Sequence, residues 1–154
     1  KGQMPVTVRQ LPAGGRAYAW QDGSIYAAPG TDLSVYAHEL GHQIEFQLPG
    51  ALDAAQAFLA HRVGNEPIVK LNEVFPGARY GDHEMGRADD FEKTFKDKTL
   101  AYYAGKEYPT GFTEILSMGV ELLYSDPTGF AERDPEYFKF VTGLLRGYFR
   151  VQRP

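Results

Sequence analysis

Five residues, His38-Glu39-Leu40-Gly41-His42, constrain this chain more than any other stretch. An α-helix carries residues i and i+4 on one face, one turn apart, so this spacing aims two imidazoles at a common point with a carboxylate beside them. A divalent metal takes such a pair, and the glutamate then lies within reach of a water at the ion. Chance is a weak rival. With 4 His among 154 residues, a shuffled chain yields roughly 0.007 such runs. The flanks also read as a helix: Thr31-Asp32 supplies an N-cap, Leu33, Tyr36, Ala37, Leu40, Ile44 and Leu48 recur at helical spacing, and Pro49-Gly50 stops the run. The bland alternative is a pair of histidines on a solvated helix face.

Bulk properties narrow the rest. A length of 154 residues, 43% hydrophobic and 14% aromatic, fits one globular domain spanning 1–154 with a real core. No segment is apolar enough to span a bilayer. The net charge is −4 and no basic stripe stands out, which argues against a nucleic-acid partner. Lys1-Gly2-Gln3-Met4 shows no hydrophobic run of the signal-peptide kind and no starting Met, so the expectation is a domain excised from a larger protein or a processed product. Oligomeric state and location are not legible. The absence of cysteine excludes disulfides and thiolate ligands, and with them the Cys-plus-two-His set of the peptide deformylases. A metal here must be held by His and carboxylate.

Along the chain, Val6 to Arg9 alternates like a strand, and Arg16 to Trp20 and Ser24 to Ala28 flank Asp22-Gly23, a strong hairpin signal. Such a hairpin either packs on the core or offers an edge to an extended peptide. Ala51 to Val63 reads as a helix with Leu52, Ala55, Phe58 and Leu59 inside. His61 near its end reads as a cation at a helix C-terminus rather than a ligand. Glu66 to Leu100 is broken by Pro67, Pro76, Gly77, Gly81 and Gly86 and is expected to be loops, with a short strand at Val69 to Leu71. Phe112 to Tyr124 reads as a helix ended by Asp126-Pro127. A last helix opens at Asp134-Pro135, with Phe138, Val141, Leu144, Leu145 and Phe149 buried. Strands early and helices late give α+β: helices packed on a small mixed or antiparallel sheet.

A catalytic zinc takes three protein ligands and leaves a fourth position for water. Positions 45 and 48 are Glu and Leu, so no third His follows in the metzincin arrangement. A later carboxylate is the remaining common solution. Glu114 is the first candidate, because a charge within the apolar run Thr113 to Val120 is costly unless paired or bound. Ser117 is placed to support it by hydrogen bonding, and Gly119 to allow two helices to approach closely. Glu121, as ligand or as outer support, and the loop pair His83-Glu84 stay open as alternatives.

His38-Glu39-x-x-His42, followed some seventy residues later by a helical Glu, resembles the gluzincin peptidases, and more narrowly the catalytic domain of the anthrax lethal factor type. A Tyr shortly before the glutamate, then Ala131-Glu132-Arg133 and the aromatic Phe138-x-Phe140 helix, come in the family's order. Tyr103 to Lys106 and Thr113 to Gly119 are also similar to a domain type of large phage-associated and bacterial toxin-like proteins. The chain departs from the family pattern at Ile115-Leu116-Ser117, where small and aromatic residues are usual, and in a longer segment between the ligands.

The resemblance implies a zincin-like metallopeptidase domain that cleaves a protein or peptide substrate. It implies Zn²⁺ held by His38, His42 and Glu114, with Glu39 as general base and then proton donor to the leaving amine. It also implies a tyrosine that stabilises the oxyanion: Tyr108, six residues before Glu114, or Tyr103 if the loop carries an insertion. Two rivals remain, a catalytically inactive zinc-stabilised structural or binding module of a phage or toxin protein, and a hydrolase of non-peptide amides.

Overall fold

In the computed structural model, which describes residues 4–88 and 91–147, the Asp22-Gly23 pair turns the chain as its chemistry requires. Gly23 has φ +89°, a conformation side chains disfavour, and the Asp22 carboxylate accepts the Ser24 N–H at 2.8 Å. Three strands result: β1 (Thr7–Gln10), β2 (Tyr18–Ala19) and β3 (Ser24–Ala27). β3 lies in the middle, parallel to β1 and antiparallel to β2. The Ser24 side of the hairpin is therefore paired on both flanks and offers no free edge; the edges are β1 and β2.

Helix α1 (Leu33–Gln47) starts where expected, with the Asp32 side chain capping the Ser34 N–H. Its buried face coincides with only part of the apolar stripe of the sequence reading. Leu33 and Leu48 are 62% and 42% exposed, while Glu39, Gly41, Gln43, Ile44 and Glu45 are buried. The reason is what the helix packs on. The Gln43 amide donates to the backbone carbonyls of Trp20 and Ser24, at 2.8 and 3.0 Å, so polar groups rather than alkyl chains meet the sheet backbone.

The chain divides into two compact units, one running up to Leu52 and resuming at Leu116, the other Asp53–Ile115. Helix α2 (Ala51–Val63) keeps the expected bounds and buries Ala55, Phe58, Leu59 and Val63. The Arg62 guanidinium lies over the Phe58 and Phe91 rings, at 5.5 and 4.6 Å. The stretch expected to be loops is more ordered than that. It holds β4 (Val69–Lys70), α3 (Leu71–Val74), β5 (Met85–Gly86), α4 (Phe91–Thr94) and α5 (Lys98–Ala104), after which β6 (Lys106–Glu107) completes a second, antiparallel sheet of order β4-β5-β6. These elements are two to seven residues long, too short for a periodicity to announce them.

Beyond Glu114 the chain forms α6 (Ile115–Ser125), α7 (Pro127–Arg133) and α8 (Pro135–Leu145). The first starts three residues later than expected, its entry marked by the Thr113 hydroxyl accepting the Ile115 N–H at 3.2 Å. Asp126-Pro127 both ends α6 and opens the unexpected α7, with Asp126 as N-cap and Pro127 in the first turn. On α8, Val141, Leu144 and Tyr137 are buried whereas Leu145 is exposed; Phe149 lies outside the described residues. Gly119 of α6 packs against Val141 and Tyr137 of α8. The architecture is α+β, with eight helices and two small sheets among the described residues where the sequence reading expected one. No described helix is long and apolar enough to cross a membrane.

Candidate functional site

His38 and His42 project from one face of α1, their ring centroids 5.1 Å apart and nearly perpendicular. The His42 ring stacks on Phe46 one turn further, at 6.0 Å. Glu121, on the first full turns of α6, meets His38 Nδ1 at 3.0 Å. A carboxylate on Nδ1 holds the proton there and leaves the lone pair on Nε2, the state in which an imidazole ligates a metal. Of the two roles open to Glu121, outer support is thus the one its contact matches. Glu39, between the histidines, is only 6% exposed.

Gly41 explains how α1 and α6 come so close. A Cβ built there meets Ser117 Cα at 2.4 Å, the Leu116 carbonyl oxygen at 2.5 Å and Ser117 N at 2.6 Å. The two backbones touch, and only glycine leaves the room. The close approach that the sequence reading gave to Gly119 is made towards α6 by Gly41, while Gly119 serves the α6–α8 contact.

Glu114 stands two residues before Leu116 and is 1% exposed. His38, His42 and Glu114 each offer a ligand atom, and those atoms all lie within 4.8 Å of one another. The donor set suits a divalent ion: two imidazole nitrogens and a buried carboxylate oxygen.

The tyrosines lie within the second unit. The Tyr108 hydroxyl donates to Glu114 Oε1, and Tyr103 shares a hydrogen bond with it. Burial, followed by the Glu114 carboxylate, pushes the Tyr108 phenol far above its usual range, so it stays protonated and able to donate. His83 is exposed. Its neighbour Glu84 is engaged elsewhere, by Lys106 Nζ at 2.5 Å and the Gly81 N–H at 2.7 Å, so this pair does not join the cluster. His61 sits in the last turn of α2.

Two features escaped the sequence reading. One is the role of Lys106, buried against Tyr103 and Tyr108, which entered the sequence reading only as the end of the stretch Tyr103 to Lys106. The other is a cavity of about 320 Å³ whose lining includes Leu59, Val63, Phe112, Tyr108 and Thr113, with Arg87 and Glu107 among its polar groups. Its lining residues come from separate segments, and no local pattern marks them. Comparison with family models, curated proteins and solved structures finds no match for this chain.

Proposed function

We propose that this chain is a zinc-dependent endopeptidase of the gluzincin type, with a zincin-like fold. The observation that carries the reading is the convergence of His38, His42 and Glu114 around a helix that also holds Glu39. These three residues would hold the zinc, and Glu121 would orient His38. When bound, the ion supplies Lewis acidity and acidifies water.

The remaining work falls to the chain's own groups. Glu39 takes a proton from the attacking water and delivers it to the leaving amine. Its burial keeps bulk water from competing for that proton. Tyr108, protonated and donating to Glu114 in the resting site, would turn its one hydroxyl proton from Glu114 to the oxyanion as that charge develops, with Tyr103 as its hydrogen-bond neighbour. The cavity beside Tyr108 and Thr113 has room for one large side chain of a peptide substrate.

The test compares wild type with Glu39→Gln for bound zinc by elemental analysis, and for cleavage of a mixed peptide library by mass spectrometry. Both proteins should hold one zinc per chain. Hydrolysis should fall by about 10²–10⁴-fold in the variant. Equal cleavage by the two proteins removes Glu39 as the base. Zinc without any turnover in wild type replaces this reading with the zinc-stabilised binding module.

A further inference from the structure

We infer that Lys106 is a positioning residue for the metal centre, acting through Tyr108 on Glu114; the inference rests on the zinc reading above. Lys106 is only 5% exposed, on a two-residue strand whose partner is β5. Its ammonium lies 2.5 Å from Glu84 Oε1, 4.6 Å from the centroid of the Tyr108 ring and 5.2 Å from that of Tyr103. Glu84 is anchored in turn, its second oxygen accepting the Gly81 N–H. From Gly81 through Glu84, Lys106 and Tyr108 to Glu114, each group is fixed by the one before it, and all lie within Asp53–Ile115.

A buried ammonium is a costly way to fill space between two phenol rings, since an alkyl side chain packs there without any desolvation. What the charge adds is direction. A cation over a ring face resists sliding of the ring and draws electron density from it. The Tyr108 ring is thereby held with its hydroxyl on Glu114, and the carboxylate it grips is the one proposed to take the metal. Outer partners of ligands typically change metal affinity by about 10- to 100-fold when removed. The ammonium lies over the Tyr108 ring and the Tyr108 hydroxyl donates to Glu114, so the route from Lys106 to the carboxylate runs through the phenol.

The experiment measures zinc dissociation constants by chelator competition for wild type, Tyr108→Phe, Lys106→Met, Lys106→Arg and the double variant Lys106→Met/Tyr108→Phe. Circular dichroism checks folding of each, with Lys106→Gln standing in if Lys106→Met does not fold. Tyr108→Phe should bind zinc about 10-fold more weakly or worse, and Lys106→Met should lose part of the same factor. Lys106→Arg should recover most of it, and the double variant should be no weaker than Tyr108→Phe alone. Lys106→Met binding zinc as tightly as wild type, or an additive double variant, overturns the inference and leaves the zinc reading intact. Wild type that retains no zinc overturns both.

Discussion

His38 and His42 on α1 are held by regular backbone. A capped helix sets their spacing, and a glycine contact seats that helix on α6. Tyr108, in the unit Asp53–Ile115, has no such support, because it follows a two-residue strand. Its ring is fixed by a buried lysine and its hydroxyl by a carboxylate. Positions that must repeat a spacing are given to hydrogen-bonded helix, where geometry is a property of the backbone. Positions that must only face one partner are given to charge pairs, whose geometry depends on burial. The two regions should therefore fail differently: the first to added volume, the second to lost charge.

Added volume gives the largest expected effect. Gly41→Val places a branched side chain where a single Cβ already lies 2.4 Å from Ser117 Cα. Backbone cannot rotate away as a side chain can, so α1 and α6 must separate. The cost should reach about 4 kcal/mol, at the extreme for point substitutions, despite the helix propensity gained on leaving glycine. Zinc affinity should fall with it, since both histidines ride on α1. Chemical denaturation of wild type and variant measures the loss; an unchanged midpoint means that the two backbones are not in contact.

Lost charge comes next. Glu84→Gln leaves the buried Lys106 ammonium without its carboxylate, which should cost roughly 3 kcal/mol at neutral pH. The pH dependence carries the sign. Burial pushes the Glu84 carboxyl upward, but the Lys106 ammonium and the Gly81 N–H outweigh it and hold the group below its ordinary 4.5. A depressed carboxylate contributes its full stability above the unfolded-state value and loses it as pH falls through the folded one. The stability gap between wild type and Glu84→Gln should thus be widest near neutrality and close as pH drops below about 4.5. Urea midpoints at neutral pH and near pH 3 provide the measurement. A gap independent of pH would show that the Glu84 charge contributes nothing.

What sequence could disclose follows the same division. The α1 cap, the Asp22-Gly23 turn, the bounds of α2 and the start of α8 were legible because each rests on contacts a few residues apart. Glu114 was legible by cost, as a charge in an apolar run. The Lys106–Glu84 pair spans 22 residues and the His38–Glu121 contact 83, and neither charge differs in sequence from a solvated one. The buried polar face of α1 was hidden for a related reason. Hydrophobic periodicity assumes an apolar neighbour, whereas Gln43 and Gly41 meet backbone. Helix α7 was missed because Asp126-Pro127 is equally a stop and a start.

The smallest effect tests whether the local, legible features act alone. Asp134 is fully buried and caps α8, its carboxylate accepting the Tyr137 N–H at 3.1 Å. Asp134→Ala removes that acceptor and leaves a helix-end donor without it, which should cost about 1–2 kcal/mol. α8 packs on Gly119, two residues along α6 from the Ser117 that Gly41 touches, but it does so through the Val141 and Tyr137 side chains, which can adjust, so the loss should not travel to the histidines. Zinc affinity should match wild type while the melting temperature falls. A cap variant that weakens zinc as much as it weakens folding would mean that α6 transmits small shifts from α8 to the metal face. The contrast between a rigid α1 site and a charge-tuned Tyr108 would then have to be redrawn around α6.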